Sequence, residues 1–312
     1  MRTLQKAITM TNLEKYYNKF NEDHRLTTRH GTVEFTTTMK YIHESIAALE
    51  QTAADSGGGA SNSAACGGSA GSAADAGSMN GATGGNRALS DVAIASKIKI
   101  LDVGAGTGRY SIALSREGYD VTAVELVERN LKVLESKHEN VKCWPGNAMD
   151  LSFLDDNTFD ITLVFGPMYH LMTRDEKLKA FSEAKRVTKK GGRILVAYVL
   201  NDYSVLTYCF KQNKIKECME RHSLTSDFHQ IVTSDDLYCY LRLEDINELN
   251  AAAGLKRIKI IAADGAADYM RRELNALDQE SFNYFIEYHL ANCERAELLG
   301  ASSHVVDILE KL

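Results

Sequence analysis

The chain's most concentrated chemical signal is the run Asp102-Val103-Gly104-Ala105-Gly106-Thr107-Gly108-Arg109, at the end of a short apolar stretch and just ahead of a helical pattern. Alternating glycines let backbone approach a ligand closely and adopt dihedrals that side chains forbid. Such a turn beyond the carboxyl end of a first strand is where open α/β sheets bind ligands. A dinucleotide fingerprint, Gly-x-Gly-x-x-Gly, read from Gly104 would need glycine at 109, where the chain has Arg109. The pyrophosphate pattern therefore fails by one residue, whereas an acid followed by Gly-x-Gly-x-Gly suits a ligand without pyrophosphate. Further on, Glu125 closes the strand-like Val121-Thr122-Ala123-Val124-Glu125. A carboxylate there accepts both hydroxyls of a ribose, and it follows the glycine loop at about the 20-residue distance expected of a ribose-binding acid.

Three later segments carry further candidates. Gly146-Asn147-Ala148-Met149-Asp150 follows a third strand pattern, and the Asn147 amide offers both donor and acceptor. A fourth strand pattern runs into Phe165-Gly166-Pro167-Met168-Tyr169-His170, where Tyr169 and His170 are candidate general bases and His170 reads equally well as a hydrogen-bonded structural histidine. Arg186-Val187-Thr188-Lys189-Lys190-Gly191-Gly192 leads into a fifth strand and has a structural role. Near the N-terminus, the Tyr17 ring could face a cation and Arg29 could pair with a carboxylate, while core packing and a solvated surface explain them as well. Arg295 or His304, in the closing stretch, could reach an acceptor pocket.

Residues 98–200 together resemble the class I S-adenosylmethionine-dependent methyltransferases of small-molecule type. The resemblance implies an α/β fold: a Rossmann-like, doubly wound, mostly parallel seven-stranded sheet with an N-terminal helical cap and an inserted helical lid. It implies S-adenosylmethionine as cofactor, with Gly104, Ala105, Gly106 and Gly108 against its methionine and ribose portions. Asp102 would orient the methionine amino group, and Glu125 with Leu126 would hold the adenosine. Asn147 and Ala148 would border the adenine, and Phe165 would stand at the strand end that faces the methyl. Tyr17 and Arg29 would belong to a segment folded over the cofactor, with Tyr169 and His170 facing the acceptor. The chain departs from the pattern at Asn147, usually aspartate, and at Ser152 and Lys190, usually proline. Gly166-Pro167-Met168-Tyr169 also lacks the Asn/Asp-Pro-Pro-aromatic run often carried by enzymes that methylate exocyclic amines, which weakens nucleic-acid methylation.

The elements that must position these residues alternate as an α/β domain should. Strands are expected over 98–103, 120–125, 141–144, 160–165, 193–200, 255–262 and 304–309, with helices over 110–117, 128–137 and 177–188. The organisation expected is a helical cap over 1–50, with a break near 21–31, and a flexible Gly/Ala/Ser-rich linker over 51–96. A cofactor-binding core over 97–200, a helical lid over 201–254 and C-terminal strands over 255–312 complete it.

The net charge of −6 and the lack of a basic run disfavour a nucleic-acid partner and leave a small-molecule acceptor. No stretch approaches the roughly 20 apolar residues of a membrane span. Six scattered cysteines, none in a Cys-x-x-Cys pair or at zinc spacing, suggest free thiols, no metal and a cytoplasmic location. Two other classes stay open: a nicotinamide-dependent oxidoreductase, and a non-catalytic cofactor-binding module. Oligomeric state has no signature in the sequence.

Overall fold

The computed structural model describes residues 12–17, 28–57, 98–300 and 302–312. Two helices come first, α1 (Asn12–Tyr17) and α2 (Arg29–Gly57). Then follow β1 (Lys99–Val103), α3 (Arg109–Arg116), β2 (Asp120–Glu125), α4 (Glu128–Glu135), β3 (Val141–Pro145) and β4 (Phe159–Val164). A short α5 (Pro167–His170) precedes α6 (Arg174–Val187) and β5 (Thr188–Val199). The remainder comprises α7 (Asn201–Ser204), a π-helical turn Val205–Lys211, α8 (Ile215–Glu220), α9 (Leu243–Ala253), β6 (Lys256–Ala262), α10 (Arg271–Ala276), α11 (Gln279–Asn292), α12 (Ala296–Leu299) and β7 (His304–Glu310).

The seven strands form one sheet in the order β3-β2-β1-β4-β5-β7-β6. All neighbouring pairs are parallel except those made by β7, which runs against β5 and β6. A sheet covered on both faces needs strands apolar on both faces. The centre meets that demand: Ile100, Leu101, Ile161, Leu163, Ile194 and Leu195 are fully buried. Local signals set the helix ends. Thr173 and Glu176 close a capping box at the start of α6, and Gly254, at φ +60°, ends α9 in a left-handed turn. Arg186 fastens the loop ahead of β4 by donating to the carbonyls of Leu151 and Leu154, each at 2.8 Å.

Outside the core the layout differs from the sequence reading. α2 begins at Arg29, two residues before the end of the expected break, and runs through Gly57, past the expected cap boundary at residue 50. It packs on β4 and β5, and a small cluster of Val33, Ala267, Leu274 and Phe282 ties it to α10 and α11. Phe20 and residues 58–97 lie outside the described residues. Within 201–254, α9 packs on α6 and β6 as part of the layer flanking the sheet, and residues 221–242 are mostly irregular. Between β6 and β7 come three helices, α10 to α12, that apolar periodicity did not single out. Among the described residues no helix is long and apolar enough to cross a membrane.

Candidate active site

The strand registers align Val103 with Val124 on one side and Val164 on the other, so β1, β2 and β4 end at one edge. There the chain turns from β1 into α3 through residues 104–108. Gly104 sits at φ +80°, and a Cβ on it would lie 2.7 Å from Cδ of Pro167. Gly108 sits at φ +88°, and its Cβ would run into Cδ1 of Leu134. Gly108→Ala should therefore lower stability by about 3 kcal/mol, combining left-handed strain with overpacking. That corresponds to a fall of roughly 6–12 °C in the melting midpoint. An unchanged midpoint would show that the loop relaxes around the methyl group.

Glu125 organises the same loop. Its Oε2 accepts from the Gly106 amide at 2.7 Å and its Oε1 from the Val127 amide at 2.8 Å. Asp102 lies behind, 1% exposed, with Oδ2 accepting from Ser111 Oγ at 2.5 Å. Its Oδ1 is buried and has no hydrogen-bond partner among the described residues. Burial raises the Asp102 carboxyl to about 6, against the pull of Ser111 and with added repulsion from Glu125. Nothing local in the sequence pointed to Ser111; only the loop geometry brings it back onto the acid.

Around these acids is a cavity of about 300 Å³. Asp102, residues 104–107 and Glu125 line it together with Leu126, Asn147, Ala148 and Met149, whereas Gly108, expected at the cofactor, packs toward Leu134 and does not line it. Asn147 Oδ1 accepts from the Met149 amide at 2.9 Å, so the Asn147 nitrogen is the group presented for donation. Phe165, Tyr169, His170 and Tyr17 also line it. The site thus gathers a buried, partnerless carboxylate oxygen, a second carboxylate and several aromatic rings around one cavity. Arg109 also borders it, with its guanidinium 4.3 Å over the Phe35 ring. That stacking occupies the position where a dinucleotide loop needs glycine.

Two expected roles change. Arg29 does not reach the cavity. Its Nη1 donates to the Leu274 carbonyl at 2.9 Å and its guanidinium lies over the Phe282 ring, because α2 starts with Arg29 facing α10 and α11. His170 borders the cavity but is held at both nitrogens. Nδ1 donates to the Leu237 carbonyl at 2.9 Å, which leaves Nε2 to accept from the Tyr17 hydroxyl at 2.9 Å. Burial lowers its pKa to about 4, so the ring stays neutral through the physiological range. With its lone pair committed to Tyr17, His170 fastens α1 over the cavity and is poorly placed as a general base. Tyr169 lies beside it, ring centroids 4.8 Å apart, and its carbonyl accepts from the Cys239 amide.

Residues 101–196 match a family described as a methyltransferase domain. A demethylmenaquinone methyltransferase of Staphylococcus aureus is 38% identical over 116 residues, 35% of this chain and 46% of the relative. The chain thus spans about half the length of the curated relatives it matches. Solved structures similar in fold include an S-adenosylmethionine-dependent methyltransferase from Methanosarcina mazei, with 14% identity and a TM-score of 0.46 over 69% of this chain and 92% of that one. Another is a geranyl diphosphate C-methyltransferase from Streptomyces coelicolor, with 15% identity and a TM-score of 0.45 over 70% and 73% of the two chains.

Proposed function

We propose that residues 101–196, which match a methyltransferase domain, bind S-adenosylmethionine as the class I enzymes do, and that the whole protein transfers a methyl group to a small-molecule acceptor by direct displacement. The observation that carries this reading is the buried, partnerless Oδ1 of Asp102 beneath a glycine cradle. A buried carboxylate oxygen without a donor is costly, and an ammonium group from a ligand would relieve it. The amino group of S-adenosylmethionine fits that atom. Its ribose hydroxyls would donate to the Glu125 carboxylate, and Leu126, Asn147, Ala148 and Met149 would border its adenine.

When bound, the cofactor supplies an electrophilic methyl on a positively charged sulfur, so the protein's task is alignment and exclusion of water. Tyr17, Phe165, Tyr169 and His170 would surround that end. The neutral His170 places no like charge against the sulfonium, and the Tyr17–His170–Leu237 chain holds α1 as a cover. The net charge of −6 and the absence of a basic run support a small acceptor over a nucleic acid, and the scattered thiols support a cytoplasmic location.

Calorimetric titration tests this reading. Micromolar binding of S-adenosylmethionine is expected, with no binding of NADH, because Arg109 occupies the third glycine position of the dinucleotide fingerprint. Preference for NADH would overturn the reading and support an oxidoreductase. Cofactor binding with no product from any acceptor in a broad library would reduce the protein to a binding module.

A further inference from the structure

The charges around the cavity do not balance. Among the described residues three carboxylates line it, Asp102, Glu125 and Glu176, against a single guanidinium, that of Arg109. The Glu176 carboxylate is fixed by accepting from the Thr173 amide at 2.8 Å, and that bond holds its pKa below the usual carboxylate value. His170, neutral through the physiological range, adds no positive charge. The Arg109 guanidinium lies 4.3 Å over the Phe35 ring and has no hydrogen-bond or ion-pair partner among the described residues.

Strand order places this cation. Glu125 ends β2, Asp102 lies near the end of β1, and Phe165 follows β4, the other neighbour of β1. The Tyr110 ring bridges Phe165 and Phe35, with centroids 5.1 Å and 5.3 Å from its own. Arg109, over Phe35, therefore stands on the β4 side of the glycine loop, across β1 from Glu125. Neighbouring strands are about 4.8 Å apart, so a ligand with its ribose at Glu125 and its ammonium at Asp102 extends toward Arg109. A carboxylate on the same carbon as that ammonium would be repelled by Asp102, Glu125 and Glu176, and Arg109 is the cation that offsets this. A guanidinium stacked on a ring keeps its edge N–H groups free, and its planar fork matches a carboxylate. Arg29, the residue expected in this role, is engaged by the Leu274 carbonyl and the Phe282 ring.

Building on the S-adenosylmethionine reading, we propose that Arg109, steadied by Phe35, binds the carboxylate of the cofactor's methionine portion and makes the cavity select the complete amino acid head. Asp102 and Arg109 then supply opposite charges for the two ends of a zwitterion. A ligand with the ammonium but without the carboxylate would leave the guanidinium unpaired. Arg109 thus sets discrimination between ligands as well as affinity.

The test is calorimetric titration of the full chain with S-adenosylmethionine and with decarboxylated S-adenosylmethionine, which keeps the ammonium and the sulfonium. The wild type should bind the complete cofactor roughly 20-fold more tightly, the scale of charge-assisted hydrogen bonds at a partly exposed site. Added salt should shrink that preference. Arg109→Met, whose side chain still packs on Phe35 and whose folding is checked by its melting curve, should bind the two ligands equally. Its affinity for the decarboxylated form should match that of the wild type. Arg109→Lys should fall between, because an ammonium keeps the charge without the fork. Equal affinities in the wild type, or an unchanged preference in Arg109→Met, would overturn the proposal and leave Arg109 as a stacking partner of Phe35. An equal loss of both ligands in Arg109→Met would also overturn it, since that marks a purely structural role. In these cases S-adenosylmethionine still binds the wild type and the cofactor reading stands, whereas binding of neither ligand by the wild type would overturn both.

Discussion

Asp102→Ala is expected to weaken S-adenosylmethionine binding by roughly 100-fold, about 3 kcal/mol, the scale for removing one partner of a buried charge pair. The effect should depend on pH in a defined direction. In the ligand-free protein the Asp102 carboxyl lies at about 6, raised by burial, compared with about 3.9 in an unfolded chain. The folded state therefore holds an extra proton between these values. Asp102 contributes its full stability below pH about 4 and loses on the order of 3 kcal/mol as pH rises through about 6. An ammonium ligand prefers the ionised carboxylate, so its affinity should rise up to about pH 6 and then level off, falling up to tenfold per unit below that. Titrations from about pH 5 to about pH 8 on wild type and Asp102→Asn would show this, because the amide cannot titrate. A flat profile in the wild type would mean that the ligand's amino group does not meet Asp102.

Glu125→Ala should have the second largest effect, and it should appear in stability before any ligand is added. Both carboxylate oxygens accept backbone amides, from Gly106 and Val127. Removing the side chain deletes two charge-assisted hydrogen bonds worth about 1.5–3 kcal/mol each, a loss of about 4 kcal/mol. Urea unfolding would report it as a lower midpoint. Glu125→Gln should recover about half, since its amide oxygen still accepts one N–H while its NH₂ opposes the other. A wild-type midpoint for Glu125→Ala combined with weakened cofactor binding would confine the residue to ligand contact and remove its role in shaping the loop.

All seven strands were legible, most to within a residue or two, because buried strands write themselves as short apolar runs between turn residues. The expected 120–125 is β2 itself, and the expected 255–262 is β6 with one residue added at its start. The glycine loop was legible because residues 104, 106 and 108 each need a positive φ, which only glycine adopts without strain. Helices α10 to α12 were not. α11 mixes exposed Tyr284 and Tyr288 with buried Phe282 and His289, so no clean apolar stripe marks its face. Arg29 could not be read either: a cation near a helix start is compatible with a ligand, solvent or carbonyls, and the choice was made by Leu274, far along the chain.

What the sequence determined by itself is therefore local: the parallel α/β core, the position of the glycine turn, and the placing of Asp102 and Glu125 at adjacent strand ends. Periodicity and turn chemistry act over a few residues, and each of those features is encoded within such a span. What the tertiary structure decided is every pairing between distant segments. It made β7 antiparallel, tied His170 to Leu237 and Tyr17, and set Asp264 on His304, 40 residues apart. Those partners are chosen by how the helices and strands pack, and a histidine's role as fastener or base depends on which hydrogen-bonding groups that packing brings to its two nitrogens.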